Sequence, residues 1–143
     1  MKKLAVVYWS GTGNTEQMAQ KVADGAKAAG AEVEVLTSGA FSADQADAFE
    51  AIAFGCPAMG AEELEADEFA PMFEACLPKL RDKQIALFGS YGWGDGEWMR
   101  DWTTRMEAAG ATVLNGEGLI CHETPDEDGL SECRELGIQL ANA

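Results

Sequence analysis

The stretch Tyr8–Thr15, YWSGTGNT, carries the residue types most able to hold a charged ligand. It follows the apolar run Leu4-Ala5-Val6-Val7 and leads into a helical pattern. This is the strand–loop–helix setting in which backbone N–H groups and a helix N-terminus cradle an anion. Gly11 and Gly13 can take positive φ and turn amides inward. Ser10, Thr12, Asn14 and Thr15 add side-chain donors. No lysine completes a G-x-x-x-x-G-K-[ST] loop, and Glu16 stands where the last glycine of G-x-G-x-x-G would be. A neutral, hydroxyl-rich loop suits a phosphomonoester that stays bound and is not hydrolysed. The plain alternative is an ordinary strand-to-helix turn rich in small polar residues.

Two further segments share that character. Gly55–Asp67 reads GCPAMGAEELEAD and Gly89–Trp98 reads GSYGWGDGEW. Each sets one large polarisable side chain, Met59 or Trp93, among small residues. An indole offers a π-face to a planar ring, and a thioether can cover the opposite face. Met59 would otherwise be ordinary core. Trp98, Trp102 and Met106 recur at helical spacing and read as core.

The elements that must position these loops alternate along the chain. Strands are expected at Lys3–Tyr8, Glu32–Thr37, Ala51–Cys56 and Gln84–Ser90, with a last strand, Thr112–Leu114 and Leu119–Cys121, broken at Asn115-Gly116. Helices are expected at Thr15–Ala29, around Phe69–Leu77 with Pro71 in its first turn, at Gly96–Ala109 and at Asp126–Leu140. Ser38–Glu50 reads as polar and weakly helical. Alternation of this kind predicts a single α/β domain spanning residues 1–143, a parallel sheet with helices on both faces. Ligands of such sheets bind beyond the strand carboxyl ends at the topological switch point, which selects the loops after strands one, three and four.

Composition removes other classes. Lys and Arg number 10 against 25 Asp and Glu, a formal charge of −15 that repels nucleic acid and anionic lipid and attracts basic protein faces. The 47% hydrophobic content in periodic segments argues against disorder. With no leader-like segment or membrane-length apolar run, the expected location is cytoplasmic. Cys56, Cys76, Cys121 and Cys133 fall in apolar patterns and read as buried free thiols. His122, the only histidine, reads as surface or loop and leaves no material for a His-based triad or metal cluster.

Together, YWSGTGNT, GCPAMG and GSYGWGDG resemble the three loops of short-chain flavodoxins of anaerobic bacteria, in order and spacing over essentially the whole chain. Flavodoxins are themselves a standing example of the switch-point rule, so that agreement is not independent. The insertion in the last strand that marks long-chain members is missing. The resemblance implies strand order 2-1-3-4-5, non-covalent FMN, no metal and no substrate of its own. It also implies a monomer and low-potential one-electron transfer, mainly between neutral semiquinone and hydroquinone, able to stand in for ferredoxin with low-potential oxidoreductases.

Carried over by position, Ser10, Gly11, Thr12, Gly13, Asn14 and Thr15 would hold the phosphate. Pro57, Ala58, Met59, Gly60, Ala61 and Glu62 would meet the ring, with Met59 on its inner face. Gly60 would supply a peptide that rotates on reduction, and Glu62 would accept from the pyrimidine N3–H. Ser90, Tyr91, Gly92, Trp93 and Gly94 would line the pyrimidine side, with Trp93 on the outer face. Pro57 replaces a phosphate-binding serine of some relatives, and Ala61 an aspartate of others.

A carbonyl aimed at flavin N5–H after Met59 needs positive φ at the next residue, so glycine is the expected type at position 60. Glu62, Glu63, Glu65, Asp67, Glu68, Asp95 and Glu97 crowd these loops and would disfavour an anionic reduced ring. They would also dock basic partner faces. A flavin-dependent quinone reductase on the same fold is the alternative, though Trp93 should cover the face its substrate would need. A phosphoacceptor receiver domain fails, because Tyr8, Trp9 and Cys56 occupy its aspartate positions. A flavin-type regulatory module is harder to separate.

Overall fold

The computed structural model describes residues 2–143. The strands are β1 (Lys3–Tyr8), β2 (Glu32–Thr37), β3 (Ala51–Gly55), β4 (Gln84–Tyr91), β5 (Thr112–Val113) and β6 (Leu119–His122). The helices are α1 (Asn14–Ala28), α2 (Ala43–Ala46), α3 (Phe69–Cys76), α4 (Glu97–Ala108) and α5 (Glu127–Asn142). The sheet runs β2-β1-β3-β4-β5 with every pairing parallel, as expected, and β6 also pairs with β4. β5 and β6 are thus two halves of one fifth strand. Between them Asn115 mends the ladder: its Nδ2 donates to the Leu87 carbonyl at 2.9 Å and its Oδ1 accepts from Leu87 N–H at 3.3 Å.

Central strands are apolar because both faces are covered. β3 is buried at every residue, and β1 from Leu4 to Tyr8. On one face α1 and α5 pack over Leu4, Val6, Ala53 and Phe88. Their contact is close enough that a Cβ at Gly25 would lie 1.9 Å from the Arg134 carbonyl, and one at Gly137 1.9 Å from that of Val22. The other face carries α3 and α4 over Ile52, Phe54 and Leu87, where Trp102 meets Phe69 and Phe73 edge-on. Trp98, Trp102 and Met106 are core, as their spacing implies.

The differences from expectation lie at ends and in one connection. β4 runs on to Tyr91 and β3 stops at Gly55. Ser38–Glu50 contains a 3-10 turn (Ser38–Ala40) and the one-turn α2, yet it buries Phe41, Ala46 and Phe49 beside Phe54. The segment serves as the crossover cover without being a full helix. All four cysteines are free and buried. Burial pushes the Cys56 thiol up to about 12, and Cys133 is raised by its hydrogen bond to Cys121 and by burial, so these are inert thiols rather than nucleophiles. Among the described residues no helix is long and apolar enough to cross a membrane, and no cluster of metal ligands forms.

Candidate functional site

The sheet order places β2 on one side of β1 and β3 on the other, so the loops after β1 and β3 part and leave a crevice between them. A cleft of about 320 Å³ opens there, lined by Trp9, Gly11, Thr12, Asn14, Pro57, Ala58, Met59, Ser90, Tyr91, Gly92 and Glu123. Nine of these eleven are among the residues singled out from sequence.

One end of the cleft is the loop into α1. Ser10 Oγ accepts from Gly13 N–H at 3.1 Å and Glu16 N–H at 3.2 Å, which folds the loop over the helix start. Gly13 caps α1 at φ +94°, a value that glycine reaches without strain. Among the described residues the N–H groups of Gly11, Thr12, Asn14 and Thr15 have no hydrogen-bond partner. A set of unpartnered amides at the positive end of a fifteen-residue helix is a receptor for an anion, and a phosphate tail fits it. Thr15 is turned inward: its Oγ1 lies 3.2 Å from Ser90 Oγ and accepts from Ser90 N–H at 3.4 Å. The side chain of Thr15 therefore ties the first loop to the third. Trp9 stands at the edge of the loop, its ring 3.0 Å from where a Gly11 Cβ would be.

The loop after β3 continues alongside β4, since Ala58 N–H donates to the Ser90 carbonyl at 3.0 Å. Met59 and Glu63 then exchange two 2.8 Å backbone hydrogen bonds and close a turn over Gly60, Ala61 and Glu62. Gly60 has φ +52° and, unusually for a side-chain-bearing residue, Glu62 has φ +56°. Met59 is 37% exposed at the cleft and Trp93 is 63% exposed beside it. A flat ring inserted there would meet the exposed part of the Met59 side chain, and the exposed Trp93 indole follows directly on Gly92 of the wall.

Glu62 does not line the cleft. Its Oε1 accepts from Gly96 N–H at 3.1 Å and Glu97 N–H at 3.0 Å, capping α4 and joining the second loop to the third. Gly94 makes room for that carboxylate, which would sit 2.4 Å from a Cβ there. Ser10, Gly13, Thr15, Gly60, Ala61, Trp93 and Gly94 likewise are not part of the cleft wall, although each adjoins a residue of it or of the same loop.

Glu65, counted in sequence among the acidic rim, is only 7% exposed. Its carboxylate accepts from Asp67, Glu68 and Phe69 N–H at 2.9, 2.8 and 2.8 Å, capping α3. Burial alone would raise its carboxyl, but these three hydrogen bonds outweigh it and hold the group below the usual carboxylate range.

Two wall residues escaped the reading of the sequence. Trp9 had no assigned role. Glu123, at φ +56°, follows β6 and is fixed by its N–H to the Tyr91 carbonyl at 2.7 Å. The rule that selects strand carboxyl ends, applied to the fifth strand as well, would have found it.

The family model described as Flavodoxin matches residues 6–137. The chain is 49% identical to a flavodoxin of Megasphaera elsdenii, covering 96% of this chain and 98% of the relative. It is 43% identical to a flavodoxin of Clostridium beijerinckii, covering 97% and 99%. The solution structure of two-electron reduced Megasphaera elsdenii flavodoxin superposes with a TM-score of 0.87 at 47% identity, over 98% of this chain and 99% of that one.

Proposed function

Because this chain belongs to the flavodoxin family of FMN-binding electron carriers, we propose that it is a low-potential one-electron carrier working mainly between the neutral semiquinone and hydroquinone of bound FMN. It stands in for ferredoxin, in the cytoplasm and as a monomer, with redox partners whose docking faces are basic. The observation that carries this reading is the join, in one cleft, of partnerless amides at the start of α1 with the part-exposed side chain of Met59, the exposed Trp93 following directly on Gly92 of the cleft wall.

In this reading the amides of Gly11, Thr12, Asn14 and Thr15, with the Ser10, Thr12 and Asn14 side chains, hold the phosphate. Thr15 acts through its backbone, since its hydroxyl is engaged with Ser90. Pro57 and Ala58 form the wall between phosphate and ring. Met59 packs on the inner face and Trp93 on the outer. Ser90, Tyr91, Gly92 and Gly94 line the pyrimidine side. FMN supplies the one-electron chemistry, and the protein decides which charge and which proton are tolerated. Gly60 lets the peptide after Met59 turn its carbonyl toward the ring, and Ala61 leaves that turn free of a competing side chain. Glu62 uses one oxygen on α4, which leaves Oε2 for the pyrimidine N3–H.

An anaerobic visible spectrum of the purified protein during stepwise reduction tests this. The expected course is oxidised flavin bands, a long-wavelength blue intermediate, then bleaching. A direct passage from oxidised to fully reduced bands would refute the one-electron reading and favour a two-electron enzyme. A protein that takes up no FMN would refute the cofactor assignment.

A further inference from the structure

His122 closes β6 opposite Tyr91, whose ring it meets at 5.1 Å and 60°. Its Nε2 lies 3.1 Å from the Gly92 carbonyl oxygen. A carbonyl only accepts, so the imidazole donates here, as the Nε2–H tautomer or as imidazolium. That carbonyl belongs to the Gly92–Trp93 peptide. Its N–H is the one on Trp93, which has no partner among the described residues. Because the peptide is planar, fixing the carbonyl fixes where that N–H points and where the Trp93 side chain leaves the backbone.

Little else does so. A Cβ at Gly92 would meet nothing within 4 Å, and Gly94 and Gly96 follow at φ +85° and +95°. The next fixed points are Asp95, whose carbonyl and carboxylate each accept from the Arg100 guanidinium at 3.0 Å, and the Glu62 carboxylate on the N–H groups of Gly96 and Glu97. Trp93 therefore rides on a glycine-rich strap held on one side by His122 and on the other by Arg100 and Glu62.

We infer that His122 is a positioning residue for this strap: by donating to the Gly92 carbonyl it orients the Gly92–Trp93 peptide toward the ring. The inference rests on the FMN reading above. The ring of His122 also packs on Tyr91, so the donor and the packing must be separated by the choice of variant.

Two measurements test this on the full chain. In the FMN-free protein, His122→Phe keeps a ring against Tyr91 but loses the donor, and should shift the Trp93 amide resonance, whereas His122→Gln keeps a donor and should return it toward the wild-type position. A Trp93 amide that is the same in all three proteins overturns the proposal. For FMN binding, His122→Phe should weaken affinity about three- to tenfold, and His122→Gln should bind nearly as wild type. A His122→Gln variant that binds as weakly as His122→Phe overturns the proposal. If the wild type binds no FMN, the cofactor reading falls, while the resonance comparison still decides the role of His122.

Discussion

Glu65→Gln isolates what a single buried carboxylate contributes. The wild-type side chain accepts three backbone hydrogen bonds: Oε1 serves Glu68 and Phe69, and Oε2 serves Asp67. In glutamine, one oxygen can still serve two amides, but the NH₂ group faces the Asp67 N–H, donor against donor. One charge-assisted bond is lost, worth about 1.5–3 kcal/mol, and the other two lose their charge assistance. The expected cost at pH 7 is about 2–4 kcal/mol, a fall of roughly 5–15 °C in Tm for a chain of this size. The pH dependence has a definite sign. The carboxyl is held below its ordinary value in the folded protein. Its contribution is therefore complete above the unfolded value of about 4.3 and is lost as pH falls through the folded value. Urea unfolding of both proteins from pH 7 to pH 3 checks this through the difference between them, which cancels the remaining acidic groups. The gap should shrink toward acid. A gap under about 0.5 kcal/mol at pH 7, or one that stays constant to pH 3, would refute the reasoning.

Three further outcomes follow from the site and the helix packing. Trp93→Ala should weaken the binding free energy of FMN by about 1–3 kcal/mol, taking stacking of a base on an aromatic side chain as the guide. It should leave the unfolding free energy of FMN-free protein unchanged, because the indole is 63% exposed. Fluorescence titration with FMN and a urea melt separate the two. Gly60→Ala meets no atom within 4 Å, so its effect is one of backbone alone. At about 1–2 kcal/mol for positive φ, it should narrow the gap between the two one-electron potentials by roughly 40–90 mV, and identical potentials would contradict it. Gly137→Ala should destabilise by about 2–3 kcal/mol or more, since its Cβ would press within 1.9 Å of the Val22 carbonyl. Thermal unfolding with FMN absent reads this directly.

Much of this was legible because local patterns and tertiary burial agree. β1 and β2 begin and end where alternation and apolar runs place them, and the break at Asn115-Gly116 is visible as turn residues inside a strand. What Asn115 does there was not visible, since the backbone it serves, at Leu87, is 28 residues away. The same holds for Ser38–Glu50. Ser42 and Gln45 are a readable capping pair, but nothing local says that Phe41 and Phe49 reach the core. In the site, glycine and hydroxyl content marked the first and third loops. Carboxylates defeat such reading: Glu62, Glu63 and Glu65 look alike in sequence, and only the approach of helix N-termini from elsewhere separates a cap from a solvated charge.

That separation changes the electrostatic account of the site. Of the seven acidic residues clustered in the loops, Glu62 and Glu65 face helix N–H groups, and Asp95 lies 3.0 Å from the Arg100 guanidinium. These three have counter-charges or dipoles beside them and exert little net field on the cleft. Glu63, Asp67, Glu68 and Glu97 remain exposed, and Glu123 joins them at the cleft wall. A charge at ~10 Å and an effective dielectric of ~40 contributes about 0.8 kcal/mol, on the order of 35 mV for a one-electron couple. Five such charges oppose added negative charge by about 175 mV before screening. Because they are exposed, salt weakens that opposition, whereas the capping carboxylates hold the loops in place at any ionic strength. The acidic character of this chain therefore does two physically different jobs: the solvated charges tune, and the capped ones build.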